Sequence, residues 1–252
     1  MTLPATPPYD LGQTYYVGMP HFPTHPPYLY GLTKLHGESV YEGGGSSAAD
    51  GLALGSHVGT HIDALCHFSC NGFVYGGRSV ERAQSYGGGL TELSADTIEP
   101  IVRRGVLLDF GELSEGDEIR PADLESASRG LEIHTGDVVL LRTGWARRFS
   151  DAARFVNGVR SPGPGIDGAR WLSERGVFAA GSDTLAFERV PSTTMAVHVH
   201  LLVDRGIHII EVLDLEAIAR DGIREFVFVA APLKLRGATG APVRPLAFPL
   251  SA

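Results

Sequence analysis

The segment 56–68 carries four side chains that can bind a divalent metal ion: His57, His61, Asp63 and His67. All four stand at odd-numbered positions, and in an extended chain residues two apart project from the same face. In a helix, at about 100° per residue, His57 and His61 would be neighbours but Asp63 would point away from them. The spacing therefore predicts an extended segment with one ligand-bearing face and one apolar face.

This segment must also bend. A straight strand would hold His57 and His67 roughly 33 Å apart, too far for one metal centre. We expect the backbone to turn at Gly55 and Gly59, where glycine makes a bend least costly. Imidazole and carboxylate ligands in this mixture suit zinc, manganese or iron(II). The alternative is a strand whose histidines are ordinary core or surface residues, but three histidines and an aspartate so close together favour a metal site.

A second acidic candidate lies far downstream. Glu211 stands in the otherwise apolar run 209–213, which predicts a buried strand. A carboxylate on a buried strand is costly unless a cation or a metal ion compensates it. An arginine, Arg142 or Arg205, is the alternative partner to a metal ion.

A histidine pair precedes this glutamate. The pattern predicts a helix over 194–205 that ends at Gly206, which would bring His198 or His200 towards the same sheet. The two histidines are about 200° apart around a helix, so only one is expected to face the site. Helix geometry alone does not choose between them.

Composition restricts the function classes. The chain has 252 residues, 43% apolar and 20% charged, with a net charge of -8 and dispersed basic residues, which argues against nucleic acid or an anionic membrane as partner. Two cysteines, Cys66 and Cys70, make no disulfide framework and fit a reducing cytoplasm. The start, Met1 to Ala5, lacks the pattern of an export signal, and no apolar stretch is long enough to span a membrane.

Strands and helices alternate along the rest of the chain, which indicates an α/β fold in a single domain over 1–252. Strands are predicted at 32–41, 105–110, 137–142, 177–181, 207–213 and 225–235. Helices are predicted at 121–129, 167–175, 194–205 and 215–220.

The amino-terminal arm, residues 1–30, is rich in proline and aromatic residues, which excludes a long helix. A lid over a pocket, a dimer contact and simple packing on the core are equally good interpretations. His21 and His25 in this arm can bind metal, but substrate contact or no role at all is the more usual outcome for histidines in such a loop.

With both halves of the candidate site in view, the chain resembles the cyclase family, which includes bacterial kynurenine formamidases and isatin hydrolases. The resemblance rests on the run from His57 to His67, HVGTHIDALCH, which departs from the family motif in having Leu65 where proline is common. Supporting similarity extends over nearly the whole chain, including Gly18-Met19-Pro20, Arg142 to Trp145, Gly181 to Thr184, and His198 to Glu211.

The resemblance implies roles for individual residues. His57, His61, Asp63 and Glu211 would be metal ligands, and His67 would be the general acid/base. It also favours His198 over His200 as a ligand.

It further implies a mixed β-sheet or partly closed barrel flanked by helices, one or two zinc or manganese ions, and a homodimer or homotetramer. The chain length and the long aromatic arm look more similar to the isatin hydrolases than to the formamidases.

The implied reaction is hydrolysis of a small amide, lactam or lactone by a metal-activated water, with His67 moving the proton. Tyr15, Phe22 and Trp145 are candidates to bind a flat aromatic substrate. The alternatives are a metal-dependent lyase or cyclase, and a non-catalytic protein that binds a metal or a small molecule. A storage site would not need a spare acid/base such as His67.

Overall fold

The computed structural model describes residues 7–250, so Met1 to Ala5, on which the expectation about export depends, lie outside the described residues. The strands are β1 (Tyr9–Asp10), β2 (Leu29–Lys34), β3 (Ala49–Ala53), β4 (His61–Asp63), β5 (Phe73–Val74), β6 (Arg78–Ser79), β7 (Gln84–Ser85), β8 (Gly89–Leu90), β9 (Ile101–Asp109), β10 (Glu118–Ile119), β11 (Val138–Arg142), β12 (Gly163–Pro164), β13 (Ala179–Ser182), β14 (His208–Glu211), β15 (Glu225–Ala230), β16 (Gly240–Pro242) and β17 (Leu246–Pro249).

The helices are short. They are α1 (Pro121–Ala127), α2 (Ala152–Val156), α3 (Ile166–Glu174), α4 (Ala196–His198), which continues as a π-helix over Val199–Arg205, and α5 (Glu216–Arg220). Single 3-10 turns occur at Tyr75–Gly77, Ala95–Thr97 and Trp145–Arg148.

One mixed sheet of nine strands organises the chain, in the order β1-β17-β15-β9-β11-β13-β14-β4-β16. Strands β9, β11, β13 and β14 run parallel, and antiparallel strands extend the sheet on both sides. The predicted mixed α/β architecture is confirmed. The sheet draws on strands from residue 9 to residue 249, so both ends of the described chain join it.

The two faces of the sheet build two separate apolar clusters. Alternate residues of the parallel strands divide between them, as Val106 and Leu108 on one face and Leu107 on the other illustrate. The first face packs against α1, α3 and the π-helix, which contribute Leu124, Leu172 and Leu201 among others. The second face is closed by side chains of β4, β15 and the segment around α5.

Several predicted elements differ from the observed ones. The strand predicted at 32–41 is Leu29–Lys34, which pairs with β3 as an exposed hairpin outside the main sheet. The last predicted strand ends at Ala230, ahead of Pro232, which has no N–H to continue a ladder. The helix predicted over 194–205 is present, but most of it is π-helical.

Within residues 7–250, no helix combines the length and the apolar character needed to cross a membrane.

Candidate metal centre

Strand β4 lies at the centre of the candidate site. It pairs antiparallel with β14, so that His61 lies opposite Glu211 and Ile62 lies opposite Ile210. Directly opposed residues in an antiparallel pair project to the same face. Ile62 and Ile210 enter the apolar cluster on one face, and His61 and Glu211 therefore meet on the other.

Asp63 follows His61 on that same face and is fully buried. The intervening apolar positions of the segment behave as its spacing predicts: Val58, Ile62 and Ala64 are fully buried, and Cys66 is 4% exposed. The segment is strand-like only at its centre, however, because turns precede and follow β4.

The predicted bend occurs at Gly59, whose φ is 63°. A Cβ atom at this position would lie 1.7 Å from Cε1 of Tyr15, so only glycine leaves room for that ring. Gly55 serves a different purpose, since a Cβ there would lie 2.9 Å from the carbonyl oxygen of Pro26. The bend at Gly59 carries His57 back towards the side chain of Asp63.

Strand β16 holds the His57 ring in place from the other side of β4. Thr239 Oγ1 lies 2.8 Å from His57 Nε2, and Gly240 pairs with Asp63 across the sheet. A Cβ at Gly240 would lie 2.7 Å from His57 Cε1 and 2.9 Å from the carbonyl oxygen of Ile62. The absence of a side chain at Gly240 therefore makes room for the imidazole.

His57, His61 and Asp63 form a first set of possible ligands, with one donor atom from each within 4.8 Å of the others. His57 Nδ1 lies 2.8 Å from Asp63 Oδ1, and His61 Nε2 lies 3.6 Å from the same oxygen. The His61 Nδ1–H group donates to the Gly59 carbonyl oxygen at 2.8 Å, which leaves the Nε2 lone pair free.

Asp63, His198 and Glu211 form a second set that shares Asp63 with the first. His198 Nε2 lies 3.2 Å from Glu211 Oε1, and His61 Nε2 lies 3.3 Å from Glu211 Oε2. The Phe187 backbone N–H donates to Glu211 Oε1 at 2.7 Å. The two distant pieces of chain thus meet around one buried carboxylate.

The alternatives for Glu211 and for the second histidine are resolved by the same contacts. Arg142 pairs with Asp109 and Glu216, and among the described residues neither Arg142 nor Arg205 forms an ion pair with Glu211. His200 Nε2 lies 2.9 Å from Ser173 Oγ, on the side of the helix that faces α3. His198 is therefore the histidine of this pair that lies beside Glu211.

Glu188 is a site residue that sequence analysis missed. Its Oε2 accepts hydrogen bonds from the ring Nδ1–H of His198 at 2.6 Å and from the His198 backbone N–H at 3.1 Å. The residue is only 3% exposed. The only signal in the sequence is an acid beside the apolar stretch 185–187, which has no recognisable spacing to the other ligands.

Two carboxyl groups of the site stay ionised despite their burial. Burial opposes the charge of Asp63, but the imidazoles of His67, His57 and His61 outweigh it and lower the pKa of Asp63. In the same way burial is outweighed by the adjacent imidazoles of His198 and His61, which lower the pKa of Glu211 to about 2. Both groups are therefore anionic at neutral pH.

The histidines respond in opposite directions. Burial lowers the pKa of His198, but the carboxylates of Glu188 and Glu211 outweigh it and raise that pKa to about 10. Burial, aided by the nearby His57 and His198, lowers the pKa of His67 to about 3. His67 is thus a neutral imidazole at pH 7.

A cavity of about 270 Å³ opens onto this cluster. Its lining comprises Phe22, His25, His57, His67, Phe68, Leu185, Ala186, Met195, His198 and Glu211. His67 belongs to neither ligand set, and its ring stacks on that of His57 with centroids 4.0 Å apart. His25 Nδ1 is buried and has no hydrogen-bond partner among the described residues.

The three aromatic residues predicted to bind substrate lie in different places. Phe22 lines the cavity. The Tyr15 hydroxyl donates to the Thr60 carbonyl oxygen at 2.8 Å, and the ring packs against the bend at Gly59. Trp145 is 1% exposed, and its indole N–H donates to the Phe155 carbonyl oxygen at 2.9 Å. Of the three, the structure brings only Phe22 to the cavity.

The donor set fits a divalent metal ion. Among residues 7–250, the buried atoms His61 Nε2, Asp63 Oδ1 and Asp63 Oδ2 make no hydrogen bond of regular geometry, although His57 Nδ1 lies 2.8 Å from Asp63 Oδ1. Buried polar atoms are almost always satisfied. Imidazole nitrogens and carboxylate oxygens are the ligands that zinc and manganese prefer. The shared Asp63 is compatible with one ion or with two.

Comparison with known proteins agrees with this geometry. The chain is similar to an isatin hydrolase of Roseibium aggregatum, with 27% identity over 85% of this chain and 80% of that protein. It is also similar to a kynurenine formamidase of Bacillus thuringiensis subsp. konkukian, with 29% identity over 96% of this chain and 97% of that protein. Because the formamidase is matched over nearly its whole length, the expectation that chain length sets this protein apart from the formamidases is wrong.

Solved structures give the same relationship. A crystal structure described as a novel cyclase superposes with a TM-score of 0.88 and 29% identity, covering 96% of this chain and 87% of the other. Isatin hydrolase A from Ralstonia solanacearum superposes with a TM-score of 0.75 and 25% identity, covering 96% and 91%. The family model described as Putative cyclase matches residues 9–189, which include the whole HVGTHIDALCH motif. The chain belongs to the cyclase family.

Proposed function

We propose that the protein is a metal-dependent hydrolase that opens or cleaves a small amide, lactam or lactone. The observation that carries the proposal is the buried, ionised Asp63, which belongs to two sets of metal-ligand atoms beside a cavity. The relatives named kynurenine formamidase and isatin hydrolase support the class of substrate.

In this proposal His57, His61 and Asp63 hold a divalent ion, and His198 and Glu211 complete the site or hold a second ion. When bound, such an ion polarises a carbonyl group and makes a coordinated water more acidic. The chain supplies three imidazoles and two carboxylates in a buried position. A divalent ion can leave bulk water for this position because the two carboxylates compensate its charge.

His67 is the proposed general acid/base. Its ring lies in the cavity lining, against His57 and outside both ligand sets. As a neutral imidazole at pH 7, one of its ring nitrogens can take the proton of the attacking water and return it to the leaving nitrogen or oxygen. The role needs a histidine beside the ligands but not bound to the ion, which is the place that His67 occupies.

The cavity walls favour a flat, mostly apolar substrate. Its apolar lining consists of Phe22, Phe68, Leu185, Ala186 and Met195, and the Phe68 ring lies 4.8 Å from that of His198. A volume of about 270 Å³ suits a compound of one or two rings rather than a peptide. We therefore propose an aryl formamide or an isatin-like lactam as substrate, with Phe22 as one of its contacts.

The proposal also covers the metal, the oligomeric state and the location of the enzyme. The ion is zinc or manganese, the enzyme is a homodimer or homotetramer, and it works in the cytoplasm. The β2–β3 hairpin supports the oligomer, because Leu29, Leu32 and Leu52 on it are more than half exposed. A two-stranded hairpin with so much exposed apolar surface is marginal by itself and is stabilised when a second copy covers it.

The test compares substitutions inside and beside the ligand sets. We expect His61→Ala and Asp63→Ala to lose both bound metal and turnover, whereas His67→Ala keeps its metal and loses at least about 100-fold in kcat. Metal content is measured by elemental analysis, and turnover is measured on N-formyl anilines, isatins and aryl lactones with zinc or manganese supplied. His36→Ala, an exposed histidine of the hairpin, is the matched control.

Full turnover in metal-stripped protein would refute the metal-dependent mechanism. Full turnover in His67→Ala would refute the acid/base assignment alone. Incorporation of oxygen from labelled water into the product distinguishes hydrolysis from a lyase or cyclase reaction.

A further inference from the structure

Glu188 occupies a position that neither ligand set explains. It is 3% exposed, lies ten residues before His198, and directs one carboxylate oxygen at both the ring Nδ1–H and the backbone N–H of that histidine. A single oxygen that accepts both bonds fixes the ring relative to the backbone. When Nε2 loses its proton to bind a metal ion, the bond to Glu188 keeps the remaining proton on Nδ1 and leaves the lone pair on Nε2.

The neighbouring residue restrains the other ligand of the same set. The Phe187 backbone N–H donates to Glu211 Oε1 at 2.7 Å, which orients that carboxylate towards His198 Nε2. Two consecutive residues, Phe187 and Glu188, thus hold one ligand each. Neither of them contacts His57 or His61 through a hydrogen bond in the described part of the chain.

The first ligand set has outer supports of its own, although His61 Nε2 also lies 3.3 Å from Glu211 Oε2. The His61 ring is held by the Gly59 carbonyl oxygen, and the His57 ring by Thr239 Oγ1 and by the space at Gly240. These supports come from the bend before β4 and from residues 239 and 240 at the start of β16, whereas the hydrogen bonds of Glu188 go to His198. The two sets therefore share Asp63 but have separate outer supports.

We propose that Glu188 is a positioning residue that orients the His198 ring within the set Asp63, His198 and Glu211, and that its loss leaves the set His57, His61 and Asp63 intact. The inference rests on the proposed function, since it presumes that the cluster binds divalent metal. The inference predicts that loss of Glu188 weakens the binding of one ion and leaves the binding of the other unchanged.

The test compares the metal affinities of two variants at Glu188, one with a milder and one with a more severe substitution. Glu188→Gln keeps an acceptor for His198 but removes the charge, and Glu188→Met removes both at similar length. Outer-shell partners of ligating histidines typically change metal affinity by about 10- to 100-fold. We expect one of two Zn²⁺ affinities to weaken by about 10-fold in Glu188→Gln and by about 100-fold in Glu188→Met, with the other unchanged.

The affinities are measured by titrating metal-stripped protein with Zn²⁺ and with Mn²⁺ in a calorimeter, without substrate. Glu174→Gln, an exposed acid at the end of α3, is the matched control. Thermal unfolding of the metal-stripped variants establishes that each is folded. Suppose that the wild-type protein binds two ions. Variants that bind both ions as tightly as the wild type, or that lose affinity for both equally, would overturn the inference and leave the proposed function intact.

Wild-type protein that binds a single ion unaffected by either substitution would likewise overturn it. Wild-type protein that binds neither Zn²⁺ nor Mn²⁺ would overturn the proposed function together with the inference.

Discussion

Gly240 determines where the His57 ring can lie. The ring passes over the backbone of β16 at the residue that pairs with Asp63, and a methyl group there would meet both the imidazole and the Ile62 carbonyl oxygen at less than 3.0 Å. The carbonyl belongs to the β4 backbone and cannot move without disturbing the strand. Gly240 does not have a positive φ, so this position requires glycine because of packing and not because of backbone conformation.

We expect Gly240→Ala to displace His57 and to weaken metal binding by at least about 10-fold, at a cost of about 1–3 kcal/mol in the free energy of unfolding. Gly45→Ala is the matched control, because nothing lies within 4 Å of a Cβ built there. Calorimetric metal titration and urea unfolding provide the two measurements. An unchanged metal affinity in Gly240→Ala would contradict the prediction that Gly240 keeps His57 in position to bind the metal ion.

The residues of the candidate site were predictable where they share a local pattern. The odd-numbered spacing in one segment led to His57, His61 and Asp63, and a charge in an apolar run led to Glu211. Thr239, Gly240 and Glu188 had no such pattern, because each acquires its role only through strand pairing or through a loop that packs on the helix. The choice of His198 over His200 needed the family resemblance, since helical periodicity left it open.

At the scale of the elements, the carboxyl ends of β11 and β13 meet at a further buried acid, outside both ligand sets. Asp183 follows β13, is fully buried, and accepts hydrogen bonds from Thr143 N–H, Thr143 Oγ–H and Ala146 N–H. Burial outweighs these bonds and raises the pKa of Asp183 to about 6 from its ordinary value of 3.8. The folded protein therefore holds a proton on Asp183 at pH values where the unfolded chain has lost it.

Because the folded pKa is raised, the contribution of Asp183 to stability is greatest below about pH 4 and is lost as the pH rises to about 6. We expect this group alone to lower the free energy of unfolding by up to about 3 kcal/mol across that range. In Asp183→Asn the decrease should be absent, while the amide oxygen still accepts both bonds from Thr143.

Urea unfolding at several pH values between 4.5 and 7.5 measures the difference between the two proteins. Asp167→Asn, an exposed acid in the first turn of α3, is the control. Parallel pH profiles for wild type and Asp183→Asn would contradict the raised pKa.

The parallel strands were the elements best predicted from sequence. Each is a short apolar run bounded by turn residues, and burial on both faces of the sheet requires such a run. The two-residue strands were not predictable, because they depend on distant pairing partners. The π-helical stretch was not predictable either, because the change from i→i+4 to i→i+5 hydrogen bonds requires no particular residue types. The strand predicted at 32–41 continues past the end of β2 into the connecting loop, where Gly37 has a φ of 88°, and β3 was not predicted.

For the molecule as a whole, the most conspicuous surface is the β2–β3 hairpin with its connecting loop. Seven large apolar side chains between residues 29 and 52 are exposed by 47–65%. They are Leu29, Tyr30, Leu32, Leu35, Val40, Tyr41 and Leu52. Covering them would remove roughly 700 Å² per copy, close to the ~800 Å² that each partner buries in a standard interface.

We expect Leu32→Ser combined with Leu52→Ser to shift the protein from an oligomer towards the monomer mass of 26.9 kDa. The two leucines lie on one face of the hairpin, since Leu52 pairs with Tyr30 and Leu32 follows two residues later. Light scattering after size-exclusion chromatography measures the mass. Val102→Ser, which replaces an apolar residue of β9 that is 67% exposed, is the control, and a wild-type protein that is monomeric at micromolar concentration would contradict the prediction.

The position of Asp63 between the two ligand sets has a thermodynamic consequence for any pair of ions. An ion bound on the His57 side neutralises part of the carboxylate charge that an ion on the His198 side also needs, so each lowers the affinity for the other. Linkage requires the penalty to be the same whichever ion arrives first. The occupancy of the weaker metal site would then depend on the free metal concentration. When that concentration falls, the protein with two bound ions would lose one ion before the protein with one bound ion loses its own.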